Sequence, residues 1–336
     1  EVGTPYHLLN ACVNFPGKPH HGTNVTQDEN PDDFLISSLY CGSDHSQIGY
    51  IKTRQSSYAN LTLADAIALS GAAVSPWATQ NRLVQVLLLI LNFRTGLWLP
   101  NPRKASGVEK NSFFDRLDAK FFPPLRWLAL RFLPHYKHDF RQRPPEDWSH
   151  LLVTDGGHYE NLGIEPLLKR RCPVIIALDA SEDRNYQFEG LATVMNRMRS
   201  SEGIDFFQPG TNIHFRFPDA LVPDTNGISS QRIVEIEVHY PETNGQLIRG
   251  RLFYIKNTLL KTDPLELLKQ RKVNNEFPND ATSDQFFSPE RFETYRFLGV
   301  TSARDLCDLL DKKLNLQYNA PTDSCTKSRD LTLLNN

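Results

Sequence analysis

No apolar run in this sequence is long enough to cross a bilayer, no two cysteines stand in a CxxC spacing, and neither sign of charge dominates. Each absence removes a class of protein. The most apolar stretch, Leu83 to Leu91, covers about nine residues and is interrupted by Gln85, whereas a membrane helix needs about 20. The five cysteines, Cys12, Cys41, Cys172, Cys307 and Cys325, are scattered and odd in number. That fits reduced thiols in a reducing compartment better than a disulfide framework or a zinc site. Lys and Arg total 37 against 39 Asp and Glu, a formal charge of −2, so no global field recruits nucleic acid. The chain opens on Glu1 without a basic segment leading into an apolar one, so no signal peptide is expected and the sequence reads as a piece of a longer protein. Localisation stays open between cytoplasmic and membrane-associated. Asn24-Val25-Thr26 and Asn60-Leu61-Thr62 match the glycosylation sequon, a pattern short enough to arise by chance.

What is present is continuous globular sequence. The 336 residues, 40% hydrophobic and 23% charged, can bury a full core as one large unit or two closely joined ones. Residues 1–60, rich in Gly, Pro, Asn and His, predict short strands between long loops. Thr62, with Asp65 three residues on, predicts a capped helix running to about Ala73. Leu83 to Leu91 reads as a buried helix, and residues 100–145, mixing aromatics, Pro and Arg, as a lid or insertion. Leu151 to Thr154 predicts a buried strand ending at Asp155, followed by a helix from Glu165 to Arg171. A second apolar strand, Val174 to Leu178, ends at Asp179, and a helix over Phe188 to Ser200 follows it. This strand–helix alternation predicts parallel strands in a doubly wound sheet. Ile233 to His239 alternates, Asn244-Gly245 supplies a turn and Leu247 to Ile255 resumes, which is a hairpin signal. Helices over 264–273 and 288–314 complete residues 1–318, and the polar tail 319–336 is expected to be disordered.

The chemistry centres on Thr154-Asp155-Gly156-Gly157-His158-Tyr159-Glu160-Asn161. A carboxylate at the carboxyl end of a buried strand stands where open α/β sheets hold ligands, and two glycines let the backbone pass close to another element. Asp-Gly-Gly alone is also an ordinary turn leaving a strand. This block, with Glu165 to Cys172 and Val174 to Ala180 after it, resembles the Asp-Gly-Gly region of large bacterial patatin-like phospholipases. Ser70-Gly71-Ala72-Ala73-Val74-Ser75-Pro76, Asn92 to Pro102, Thr282 to Phe287 and Phe292 to Arg296 resemble the same group, in order along nearly the whole chain.

The resemblance implies an α/β patatin-like fold, a mainly parallel sheet with flanking helices plus a C-terminal β-hairpin and helices. It also implies lipid acyl-ester hydrolysis by a Ser-Asp dyad, with Asp155 taking the serine's proton and no cofactor or metal required. Gly156, Gly157, His158, Glu160 and Asn161 are then the residues that support the site. The implied partner is a lipid or other acyl ester, at a membrane surface in some settings. A free aspartate, with a pKa near ~3.9, is a weak base for a hydroxyl, so such a dyad depends on close geometry. The sequence departs from the pattern at one point: it contains no Gly-x-Ser-x-Gly and no Gly-rich oxyanion turn. The expectation is that the nucleophile lies upstream of Glu1 and that these residues alone are inactive. The alternative is a non-catalytic regulatory or scaffolding domain that has lost the serine.

Other readings stay open beside this one. Ser70, followed by small residues, is the best internal substitute for the nucleophile, or else the closely packed end of a helix. Asp155, His158 and Glu160 are either part of a metal cluster or a loop in which the last two, with Asn161, aim the first. Asp179 is a second polar group of the site, or a turn residue. The aromatics Phe121, Phe122, Trp127 and Phe132, with Arg126 and Arg131, meet lipid or pack in a core.

Overall fold

The computed structural model describes residues 5–14, 32–46, 48–55, 57–71, 96–105, 150–243, 245–281, 284 and 286–313. The chain divides into two compact units, residues 1–161 and 162–336. The expected helix at Leu83 to Leu91, the aromatic segment at Phe121 to Phe132 and the tail 319–336 lie outside the described residues.

The first unit is built on a curled six-stranded antiparallel sheet in the order β4-β3-β2-β1-β6-β5. Its strands are β1 (Leu8–Asn14), β2 (Asp32–Ser37), β3 (Tyr40–Ser43), β4 (Gly49–Lys52), β5 (Leu97–Pro100) and β6 (His150–Asp155). Helix α1 (Leu63–Ser70) starts as the sequence predicts: the Thr62 hydroxyl accepts the Asp65 N–H at 3.1 Å, and the Asp65 carboxylate accepts the Thr62 N–H at 2.9 Å. It ends at Ser70 with Gly71 as its cap, and the predicted extension to Ala73 falls outside the described residues. Ala66 and Leu69 of α1 pack on Ala11, Val13, Leu151 and Val153. Within 100–145, Pro100 closes β5 and Pro102–Ala105 form a short helix, α2. The rest of that segment is not described.

The second unit carries a four-stranded mixed sheet, order β7-β10-β9-β8, from β7 (Val174–Asp179), β8 (Asp205–Phe207), β9 (Ile233–Thr243) and β10 (Gln246–Lys256). The expected hairpin is present: β9 and β10 pair antiparallel from Ile233↔Ile255 to Thr243↔Gln246. Alternation along β10 separates two cores. Leu252 and Tyr254 join Ile175, Ala177 and helix α4 (Glu189–Glu202), which follows the short helix α3 (Glu165–Lys169). Phe253 and Ile255 instead meet Leu306 of the long helix α6 (Pro289–Lys313), which follows α5 (Leu265–Val273). The Arg232 guanidinium, 1% exposed, is ion-paired with Asp263 and, at 2.9 Å, with Asp305, so no bare charge is buried there.

The expectation of a mainly parallel, patatin-like α/β sheet is overturned. β6 and β7, the two strands that suggested it, belong to different sheets, and β6 is antiparallel to both of its neighbours, β1 and β5. Among the described residues one ladder is parallel, β7 with β10. The misreading has a physical cause. Leu151, Leu152, Val153 and Thr154 are all buried because β6 is interior to its sheet, and burial on both faces gives an unbroken apolar run whatever the direction of the neighbours. β7 departs the other way: it is an edge strand, and Ile176 and Leu178 face solvent although the run reads as buried.

A candidate active site at the end of β6

Asp155 is the last residue of β6, paired with Ala11 across the ladder. Leu151 and Val153 lie in the core beneath α1, so alternation puts Asp155 on that same face. Beyond it the chain leaves the sheet in a single tight turn of 3₁₀ helix, Gly156–His158, whose start Asp155 caps: its Oδ1 accepts the Gly157 N–H at 2.7 Å. Among the described residues that is the one donor to the carboxylate, which leaves Oδ2 with its acceptor capacity.

Gly156 is required by the backbone it touches, and Gly157 sits against a side-chain tip. A Cβ on Gly156 would stand 2.7 Å from the Asn10 carbonyl oxygen, and one on Gly157 would stand 2.5 Å from the Asn161 side-chain oxygen. The first obstacle is backbone and cannot give way, whereas the second is the end of an exposed side chain that can shift. The turn closes on itself, with the Tyr159 and Glu160 N–H groups both donating to the Gly156 carbonyl, at 3.0 and 2.9 Å. His158 Nδ1 lies 2.9 Å from the Thr154 hydroxyl, which ties the turn back to the strand. Glu160 is buried and Asn161 is exposed.

The sequence-predicted residues are thus brought together as one turn around Asp155. A metal cluster of Asp155, His158 and Glu160 is not formed, and among the described residues no group of three or more such side chains could hold a metal ion. The spacing suited one face of a strand, but the strand stops at Asp155. Ser70 ends α1 and donates its hydroxyl proton to the Asn10 carbonyl at 2.6 Å, so it occupies the closely packed helix end. Among the described residues no helix is long and apolar enough to cross a membrane.

Asp179 sits in the second unit, in a cluster that sequence reading missed. In the parallel ladder it stands beside Lys256, the last residue of β10. The Lys256 ammonium, wholly buried, lies 3.2 Å from Asp179 Oδ1 and donates to the Ser181 carbonyl at 2.9 Å. The Ser181 hydroxyl donates to Oδ1 at 2.5 Å, and the Tyr254 hydroxyl donates to Oδ2. Burial pushes the Asp179 carboxyl up, but Lys256 and the bonds from Ser181 and Tyr254 outweigh it and hold the group below its ordinary value. Tyr254 is pushed well above the ordinary phenol value by burial and by the carboxylate it faces. One sequence signal was available: a lysine closing the apolar run Leu252-Phe253-Tyr254-Ile255-Lys256 calls for a buried partner.

No protein-family model matches the chain, and no curated protein or solved structure does either.

Proposed function

We propose that Asp155 is the general base of an acyl-ester hydrolase site whose nucleophile is a serine, with a lipid or a related acyl ester as substrate. The observation that carries the reading is the Asp155 carboxylate itself. One oxygen is fixed by the Gly157 N–H, and among the described residues no donor engages the other, which can then accept a proton. In the reaction the serine hydroxyl would pass its proton to Asp155 as its oxygen attacks the ester carbonyl. The alcohol would leave with that proton, and a water deprotonated by Asp155 would then release the acid from the acyl-enzyme. The resemblance of Thr154 to Asn161 to patatin-like phospholipases supports this assignment of roles but not the sheet that the family would bring.

The competing reading, a non-catalytic regulatory or scaffolding domain, draws on the lack of any Gly-x-Ser-x-Gly in the sequence. Ester turnover by the natural full-length protein separates the two. With Asp155→Asn, kcat should fall by about 10²–10⁴-fold, the usual contribution of a positioned base. Turnover that survives this change in full would sink the assignment of Asp155, and no turnover in the wild type would favour the non-catalytic reading.

A further inference from the structure

Ser70 and Gly156 meet the same backbone group. The β1–β6 ladder stops at Ala11 opposite Asp155, and one residue farther along β1 the Asn10 carbonyl receives the Ser70 hydroxyl at 2.6 Å. Gly156 abuts that same carbonyl, close enough that an added Cβ would lie 2.7 Å from its oxygen. Residues 70 and 10 are far apart in sequence, so the bond fastens the end of α1 onto the strand beside the turn. Leu69, the preceding residue, is anchored in the core that also holds Val153 and Ala11, which fixes where Ser70 can reach.

We infer that Ser70 is a positioning residue of the Asp155 turn, acting through the Asn10 carbonyl and Gly156. The hydroxyl holds the carbonyl in place, the carbonyl limits where Gly156 can sit, and Gly156 begins the turn whose next N–H grips Asp155 Oδ1. Loss of the hydroxyl leaves the carbonyl with one contact fewer and loosens the grip on the carboxylate. The inference deepens the proposed role of Asp155 and rests on it for its catalytic meaning, but the mechanical link is testable without any turnover.

The test follows the Gly157 amide proton by NMR as pH is lowered on the folded chain. An amide that donates to a carboxylate shifts when the carboxylate is protonated, and Asp155→Asn, by removing the response, assigns it to that group. Ser70→Ala should lose the Gly157 response while the rest of the first unit keeps its dispersed spectrum, and Ser70→Thr, which retains the hydroxyl, should restore it. A full Gly157 response in folded Ser70→Ala overturns the inference. Should Ser70→Ala fail to fold, an experimental structure of the unaltered chain decides. Ser70 Oγ within hydrogen-bond reach of the Asn10 oxygen upholds the link, and Ser70 Oγ out of reach overturns it. Failure of the hydrolase proposal would appear separately, as unchanged ester turnover in Asp155→Asn.

Discussion

Asp155 and Asp179 are each the last residue of an apolar strand, and each accepts through Oδ1 the backbone N–H two residues on, from Gly157 at 2.7 Å and from Ser181 at 2.9 Å. The shared turn is what a short carboxylate does where a strand ends. The difference lies in everything else that reaches the two groups. Asp179 is buried and also receives the Ser181 hydroxyl, the Tyr254 hydroxyl and the Lys256 ammonium. Asp155 is half-buried and, among the described residues, keeps only its turn bond. A carboxylate whose lone pairs are all engaged is a brace. One with an oxygen to spare can move a proton.

That contrast predicts opposite consequences for the same substitution. Asp179→Asn leaves the buried Lys256 without its counter-charge, and removing one partner of a buried pair costs about 3–5 kcal/mol. Amide exchange along β7 and β10 should accelerate accordingly, and unaltered protection there would remove the brace from the account. Acid should act on wild-type Asp179 in the same direction and by less. Its folded value is depressed, so its contribution is whole above the ordinary carboxylate range, near ~3.9, and is lost as pH falls through that range towards the lower folded value. Protection at Tyr254 and Lys256, taken relative to the intrinsic exchange rate at each pH, should therefore fall below about pH 4, and in Asp179→Asn the acid-dependent part should vanish.

In the first unit, Gly156→Ala drives a methyl group against the Asn10 carbonyl and should cost about 1–3 kcal/mol, read from denaturant unfolding followed by tryptophan fluorescence. All four tryptophans lie within the first 161 residues, which makes the signal specific to that unit. A variant as stable as wild type would mean that the turn has room the geometry denies. The smallest effect belongs to Thr62→Ala, which removes one half of the capping box of α1 and should cost about 1 kcal/mol in the same experiment.

Features written in neighbouring residues could be read from sequence, and those set by distant partners could not. Thr62 and Asp65 announce their helix because both halves of the box lie within four residues. Asn244-Gly245 between alternating runs announces a hairpin for the same reason. The Asp155 turn was legible as well, since Gly156 and Gly157 advertise a close approach. What they approach was not: the Asn10 carbonyl belongs to β1, far back along the chain, and no periodicity names a pairing partner. The parallel sheet was inferred from the sequence of strand, helix and strand between Leu151 and Asp179, a rule that presumes successive strands share a sheet. Here they do not. Lys256 was passed over because its charge is matched by a strand end remote in sequence, and only the register of β7 on β10 puts the two side by side.

The most direct measurement sets the two carboxylates against each other in one assay: acyl-ester turnover per folded molecule of the natural full-length protein, for Asp155→Asn and for Asp179→Asn. The account predicts a loss of about 10²–10⁴-fold in the first and near wild-type turnover per folded molecule in the second. Full activity in Asp155→Asn, or a loss confined to Asp179→Asn, would contradict it.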